Sequence, residues 1–253
     1  MELIDTHCHL DVAAFDADRQ AVLQRAREAG VSTQVIPAIH RAGWDSLWAL
    51  CGAEPDLFPA FGLHPVFINR HSDSDLEALE NRLADERPVA VGEIGLDHYL
   101  PDLDRERQLR LFEAQLAIAR DAGLPAILHV RKAHDQTIAS LRRCRVSGGI
   151  IHAFNGSLQQ GHQYLGLGFK LGFGGMLTFE RSSRLRRLAQ QLPLEALVLE
   201  TDAPDLTVAS HQGERNSPEY LPEVLRSLAE VREEDLPALA AATTANAREV
   251  LGL

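Results

Sequence analysis

Short apolar segments alternate with longer amphipathic segments along this chain of 253 residues. Eight apolar segments have the length of buried strands, and they lie at 3–6, 32–38, 58–63, 89–94, 126–130, 149–154, 169–173 and 197–201. Segments with helical periodicity separate and follow them, at 18–28, 41–51, 75–86, 105–122, 133–143, 158–165, 182–191, 218–231 and 234–251. Repeated strand–helix units build a parallel sheet with helices packed on it. With eight such units, the chain is expected to adopt an α/β fold, a TIM-type (β/α)8 barrel.

The length and composition of the chain agree with one barrel. Barrels of about 250 residues commonly form single units. The hydrophobic content of 45% and the charged content of 24% are ordinary for a globular protein. No Pro/Ser-rich linker or change of composition divides the chain, so residues 1–253 are expected to form a single domain.

The charge and cysteine content limit the location and the kind of partner. No apolar stretch approaches the roughly 18 residues of a membrane span, and the N-terminus lacks the pattern of a signal peptide. Three scattered cysteines predict a reducing compartment, with the cytoplasm as the default. A net charge of −11 disfavours a protein that coats nucleic acid, although it allows a nuclease whose metal ions supply positive charge. Two basic clusters, at 142–145 and 181–187, are expected to be solvated helix faces.

Metal-ligand residue types stand at the ends of several predicted strands. His7 and His9 are two positions apart, so an extended strand directs both imidazoles to the same face. The other strand-end residues are His64, Glu93, His129, His152 and Asp202. A parallel barrel brings the carboxyl ends of its strands to one mouth, where active sites form. These residues are therefore expected to converge on one metal centre.

The predicted strand order divides this set into two sites. His7, His9 and Asp202 end neighbouring strands and are expected to bind one ion, whereas His129 and His152 are expected to bind a second. Glu93 is placed to bridge the two ions. Imidazole and carboxylate ligands suit Zn²⁺ or Mn²⁺, and carboxylates suit Mg²⁺. Local alternatives remain open, because His152 fits a buried core histidine and Asp202 fits a cap for the turn at Pro204.

Seven sequence motifs resemble the TatD family of metal-dependent deoxyribonucleases, within the amidohydrolase superfamily. They are DTHCH at 5–9, FGLHP at 61–65, GEIGLD at 92–97, LHVR at 128–131, IHAFNGS at 151–157, LETDAP at 199–204 and RNSP at 215–218. Their order and spacing match, and the resemblance covers essentially the whole chain. The stretches 157–160 and 171–175 look closest to the YjjV-like branch.

The resemblance implies a divalent-metal-dependent hydrolase that uses a metal-activated water. The expected substrate is DNA, cleaved as a 3′–5′ exonuclease acts on single strands, with no membrane contact and no obligate protein partner. Asp202 is expected to be the general base and Glu93 the shared catalytic ligand. Three residues are expected to act in substrate binding. Arg131 is expected to stabilise charge on the phosphate oxygens, and His64 to orient the substrate or groups behind the ligands. Glu200 is expected to hold a metal ligand or a loop in place.

Two other functions remain open from the sequence. The same two-metal site could hydrolyse an amide, a lactone or an ester, for example an aminoacyl-tRNA, and an acidic surface suits a small substrate. A metal-stabilised binding protein without catalysis is the second alternative. It is disfavoured because a structural zinc site usually closes with four ligands, whereas this chain supplies more.

Overall fold

Eight parallel strands follow one another around a barrel in chain order in the computed structural model, which describes residues 1–253. The strands are β1 Leu3–Asp5, β2 Val31–Pro37, β3 Leu57–Phe61, β4 Ala90–Asp97, β5 Ala126–Arg131, β6 Gly149–Ile151, β7 Phe169–Phe173 and β8 Leu197–Leu199. The N–H of Thr6 donates to Leu199 O at 3.0 Å and the N–H of Asp202 donates to His7 O at 2.8 Å, so the last strand also meets the first. The predicted TIM-type barrel is confirmed.

Nine α-helices connect or flank these strands: α1 Arg19–Glu28, α2 Trp44–Ala53, α3 Ser74–Asp85, α4 Arg105–Ala122, α5 His134–Cys144, α6 Leu158–Leu165, α7 Ser183–Gln191, α8 Leu221–Arg232 and α9 Leu236–Leu251. Helices α4 and α6 have the predicted bounds, because strong local signals end them. The side chain of Asp104 accepts from the N–H of Arg107 at the start of α4, and Gly123 ends that helix with φ +67°. Ser157 and Gln160 form a capping box at the start of α6. None of the helices combines the length and the apolar character needed to cross a membrane.

The barrel interior is apolar away from the mouth. One small cluster takes a buried residue from seven of the eight strands, and α9 contributes two more: Ile4, Val35, Ala60, Ala90, Ile127, Ile150, Val198, Ala247 and Leu251. A larger apolar cluster lies between the strands and the surrounding helices. Because apolar side chains fill the barrel interior away from the mouth, polar side chains are concentrated at the carboxyl ends of the strands.

Seven of the eight strands end at a residue other than the predicted one, and the backbone explains the ends of β4, β6 and β8. Strand β4 extends to Asp97 because residues after Glu93 continue to pair with β5, as Gly95 does with His129. Strands β6 and β8 are shorter than predicted. Ala153 has φ +44° and Asp202 has φ +60°, so the chain turns out of the sheet at both places.

Candidate metal centre

Glu93 lies at the centre of the converging side chains and is only 1% exposed. Its Oε2 is 3.1 Å from His7 Nε2 and 3.6 Å from His9 Nε2. Its Oε1 is 3.0 Å from His129 Nδ1 and 3.2 Å from His64 Nε2. Burial alone would raise the pKa of Glu93, but the surrounding histidines hold it well below its usual range. The two oxygens of one ionised carboxylate therefore face two different groups of imidazoles.

Asp202 completes the group around His7. Its Oδ1 lies 3.7 Å from the Nε2 atoms of both His7 and His9, and 3.5 Å from His152 Nε2. The rings of His7 and His152 stack with centroids 3.6 Å apart. Burial would raise the pKa of Asp202, but the neighbouring histidines, His152 foremost, lower it. The turn after β8 thus brings an ionised carboxylate to the histidines at the end of β1.

These distances fit divalent metal ions. Two ligand atoms that each lie about 2.0–2.2 Å from one ion are about 3–4 Å apart. His9 Nδ1 is 3.1 Å from the carbonyl oxygen of Pro37 and donates to it, which leaves a lone pair on Nε2. That Nε2 faces His7 Nε2 at 3.2 Å. Two ring nitrogens at this distance need a proton or a cation between them, so the donor set suits a bound metal.

Three overlapping triads have ligand atoms close enough to share an ion: His7–His9–Asp202, His7–Glu93–His152 and His64–Glu93–His129. The first contains the predicted ligands of one ion. The expected grouping of His129 with His152 around a second ion is not among these triads, because His152 stacks on His7 while His129 lies beside His64. That grouping stays a prediction.

Asp97 orients His129 and is a residue that the sequence reasoning missed. His129 Nε2 lies 3.0 Å from Asp97 Oδ2. The other oxygen, Oδ1, accepts from the N–H groups of Tyr99 and Leu100. Burial would raise the pKa of Asp97, but these bonds, led by that from His129, lower it to about 2. An ionised carboxylate can only accept, so His129 donates from Nε2 and turns Nδ1 toward Glu93. The sequence signal was the alternation of side chains along β4, which directs Glu93, Gly95 and Asp97 to the same face of the strand.

Glu200 lies directly behind His152. Its Oε1 is 3.1 Å from His152 Nδ1 and accepts from the N–H of Ala153 at 2.7 Å. Gly172 provides the space, since a Cβ there would lie 2.1 Å from Glu200 Oε2. Glu200 is 1% exposed. These contacts turn His152 Nε2 toward Asp202, while the expected role of Glu200 in substrate binding stays a prediction.

His64 differs from His129 in the nitrogen that it turns toward Glu93, because it presents Nε2 to that carboxylate whereas His129 presents Nδ1. His64 Nδ1 accepts from the N–H of Val66 at 3.1 Å, so the ring proton is on Nε2. Burial lowers the pKa of His64 to about 4, which keeps the ring neutral. Its Nε2–H therefore donates to Glu93 Oε1 and cannot offer a lone pair to a metal. Within the third triad, Glu93 and His129 are the two residues that can offer a lone pair to an ion.

Asp5 ties together the two chain segments that carry His7 and Asp202. It is fully buried and accepts from the N–H of His7 at 3.2 Å, the N–H of Thr201 at 2.9 Å and the hydroxyl of Thr201 at 2.5 Å. Burial raises the pKa of Asp5 to about 7. This carboxyl lies behind the ligands and holds the ends of β1 and β8 in register.

A cavity of about 750 Å³ opens beside the centre. Its wall includes the predicted ligands His129, His152 and Asp202. Arg131 also borders it, is exposed, and carries its guanidinium 3.7 Å from the centre of the Tyr99 ring. A volume in this range is typical of small-ligand sites. The candidate metal centre is thus accessible from one side, through a cavity that the cationic Arg131 borders.

The comparisons with known proteins agree with the motifs. The family model described as TatD related DNase matches residues 4–252. The uncharacterized metal-dependent hydrolase YjjV of Escherichia coli K12 is 42% identical over 247 residues, which are 96% of this chain and 95% of that protein. A protein of Pectobacterium carotovorum named 3′-5′ ssDNA/RNA exonuclease TatD is 34% identical over an alignment of 259 residues, which covers 99% of this chain and 100% of that one.

Solved structures give the same result. The crystal structure of YJJV, a TatD homologue from Escherichia coli K12, superimposes with a TM-score of 0.96 at 40% identity, covering 99% of this chain and 98% of that chain. A mutant organophosphorus hydrolase from Deinococcus radiodurans has a TM-score of 0.69 at 16% identity, covering 99% and 92%, and shares the fold. The chain is therefore a metal-dependent hydrolase that belongs to the TatD family.

Proposed function

We propose that this hydrolase is a deoxyribonuclease that removes nucleotides from the 3′ ends of single-stranded DNA. The observation that carries the proposal is the position of Glu93, whose two oxygens face His7 and His9 on one side and His129 on the other. Paired divalent ions at about 3.5–4 Å suit the attacking and leaving oxygens of phosphoryl displacement. The exonuclease named TatD in Pectobacterium carotovorum supports the polarity and the strandedness.

The proposed metal ligands are those expected from the sequence. One ion would be held by His7, His9 and Asp202 and the other by His129 and His152, with Glu93 available to both. Zn²⁺, Mn²⁺ and Mg²⁺ are all compatible with nitrogen and oxygen donors. Bound there, divalent ions would lower the pKa of water and neutralise charge on the phosphate.

Asp202 is the proposed general base. Its side chain is 15% exposed and borders the cavity, whereas that of Glu93 is 1% exposed and enclosed by histidines. Its lowered pKa keeps the carboxylate ionised at neutral pH. Of the two carboxylates, Asp202 is thus the one that can reach a water molecule and accept its proton.

Arg131 is the proposed cation for the scissile phosphate. It follows His129 by two positions at the end of β5 and forms no salt bridge. A guanidinium supplies several N–H donors in a fixed plane, which suits phosphate oxygens. His64 is proposed to keep Glu93 in position through its Nε2–H.

Hydrolysis of a carbonyl substrate is the second candidate. The observation in its favour is the apolar part of the cavity wall, formed by Phe154, Phe173, Met176, Leu185 and Leu206. Such a wall suits a neutral ester, lactone or amide at least as well as a nucleotide. The same ligands and Asp202 would serve that reaction.

Metal-reconstituted turnover tests the proposal. The protein is stripped with chelator, supplied with Mg²⁺, Mn²⁺ or Zn²⁺, and incubated with 3′- or 5′-labelled single-stranded DNA. We expect metal-dependent release of mononucleotides from the 3′ end, lost in Asp202→Ala. Asp85→Ala, an exposed carboxylate without an ion pair at the end of α3, is the matched control and should retain activity. Hydrolysis of an ester or amide panel without DNA cleavage would instead support the carbonyl candidate.

The three cysteines are free, and two of them are buried. Unpaired cysteines are typical of proteins from reducing compartments. We therefore propose that this enzyme meets its DNA substrate in the cytoplasm. A fluorescent fusion or fractionation of cells that express the full chain would test the location.

A further inference from the structure

Two arginines, one just before α7 and one in its first turn, form part of the wall of the cavity at the candidate metal centre. Arg181 and Arg184 both border that cavity. Arg186, in the same helix, instead donates to Glu230 Oε1 at 2.9 Å, and Arg187 is exposed away from the cavity. The basic cluster at 181–187 is thus not one uniform solvated face. Two of its four cations, both exposed, border the cavity, and neither forms a salt bridge with a carboxylate.

Arg184 is held in place by the backbone. One of its terminal nitrogens donates to the carbonyl oxygens of Asn155 and Gly156, at 2.9 and 2.8 Å. Asn155 is itself fixed, because its Oδ1 lies 3.1 Å from His134 Nε2. Neutral carbonyls orient the guanidinium without cancelling its charge. A preorganised cation of this kind loses less conformational entropy when an anion binds.

Arg181 is held in a different way. Its guanidinium carbon lies 4.9 Å from the centre of the Phe179 ring. It forms no hydrogen bond in the structure. Stacking on an aromatic face restrains the plane of the guanidinium and leaves its edge N–H groups available.

This cavity concentrates cations on a molecule that is acidic overall, since Arg131, Arg181 and Arg184 border it together with the carboxylates of Glu200, Asp202 and Asp205. The chain has a net charge of −11, which repels a polyanion over most of the surface. A single phosphodiester needs only the metal centre and Arg131. Two more cations without carboxylate partners in the same cavity therefore indicate an additional anionic group on the substrate.

We propose that Arg181 and Arg184 form a second anion subsite, which holds a phosphate of the substrate other than the one that is cleaved. This inference rests on the proposed nuclease function and narrows its substrate to chains with at least two phosphates. Single phosphodiesters and neutral esters lack the group that the subsite binds. DNA and RNA share this chemistry.

A comparison of two substrates tests the subsite. Bis(4-nitrophenyl) phosphate has one phosphodiester, whereas a labelled trinucleotide has a further phosphate beside the scissile one. The variant carries both Arg181→Gln and Arg184→Gln. We expect its kcat/KM for the trinucleotide, divided by its kcat/KM for the single phosphodiester, to be about tenfold or more below the wild-type value. The loss should come mainly from a higher KM for the trinucleotide. Arg187→Gln removes one positive charge from α7 outside the cavity, as Arg184→Gln alone does inside it, and should keep the wild-type ratio.

Binding of an oligonucleotide to the protein stripped of metal gives a readout that does not need turnover. The Kd of a fluorescent DNA or RNA trinucleotide is measured against salt concentration. Loss of one phosphate contact should reduce the slope of log Kd against log salt by about 0.7. Arg181→Gln serves here even if Arg184→Gln fails to fold, because no hydrogen bond depends on Arg181. The DNA and RNA arms show which chain the cavity prefers.

The outcomes separate the two levels of the proposal. A wild-type enzyme that cleaves trinucleotides, with substrate ratios and salt slopes unchanged in the Arg181 and Arg184 variants, overturns the subsite and leaves the nuclease function standing. A wild-type enzyme that cleaves neither DNA nor RNA overturns the nuclease function, and the subsite for a second phosphate with it.

Discussion

The carboxylate of Asp97 accepts a hydrogen bond from His129, with Oδ2 3.0 Å from Nε2. Because Oδ1 is held by the N–H groups of Tyr99 and Leu100, the carboxylate cannot rotate away. The bond determines which nitrogen of His129 faces Glu93. Asp97 thus acts on the candidate metal centre without facing Glu93 itself, through the orientation of one proposed ligand.

Asp97→Asn should weaken metal binding. An amide can present its NH₂ group to His129 Nε2, which disfavours the ring tautomer that leaves Nδ1 free, so the affinity should fall about 10–100-fold. Titration of the stripped protein with Zn²⁺ or Mn²⁺ measures it. Wild-type affinity in a folded Asp97→Asn protein would show that His129 is oriented by something else or is no ligand.

Glu93→Ala should abolish turnover while the barrel stays folded. The variant removes the carboxylate that contacts His7, His9 and His129. We expect at least about a 10²–10⁴-fold loss of kcat and less bound metal, with an unchanged far-ultraviolet circular dichroism spectrum. Asp85→Ala is again the control. Activity that survives in Glu93→Ala would exclude a bridging role for this carboxylate.

Substitutions of His64 and of His129 should differ in their effect on the metal content of the protein. His64 donates Nε2–H to Glu93, so His64→Ala should retain its metal and lose roughly tenfold in kcat, the effect of one hydrogen bond to a charged group. His64→Gln, whose amide can donate, should recover part of that loss. His129→Gln should lose metal. Elemental analysis after dialysis provides the measurement, and loss of metal from His64→Ala would make His64 a ligand.

Gly172→Ala should destabilise the fold and displace Glu200. The new methyl group would lie 2.1 Å from Glu200 Oε2, and both residues are buried, so we expect about 1–3 kcal/mol lower free energy of unfolding. Gly52→Ala is the matched control. It lies in α2 with nothing within 4 Å of the added Cβ, and should be neutral or stabilise by up to about 1 kcal/mol. Urea denaturation compares the two variants, and equal stability would mean that Glu200 moves without cost.

Local sequence signals predicted much of the architecture. Strand β7 and helices α4 and α6 have the predicted bounds, because their residue patterns and caps act within a few positions along the chain. The ends of β6 and β8 were less predictable. Positive φ at Ala153 and Asp202, neither a glycine, has no local signature, and both turns depend on contacts with other strands.

The convergence of metal-ligand residue types at one mouth follows from the chain alone, because parallel strands in a barrel must end on the same side. The tertiary structure was needed to learn what each imidazole does there. His9 donates to Pro37 O and offers Nε2 to the centre, whereas His64 accepts from Val66 and does not. Pro37 is 28 residues from His9 and is brought to it only by folding, whereas Val66 is two residues from His64 and meets its ring because of the backbone turn there. The same reason applies to Arg184, whose direction is set by two carbonyl groups of another loop.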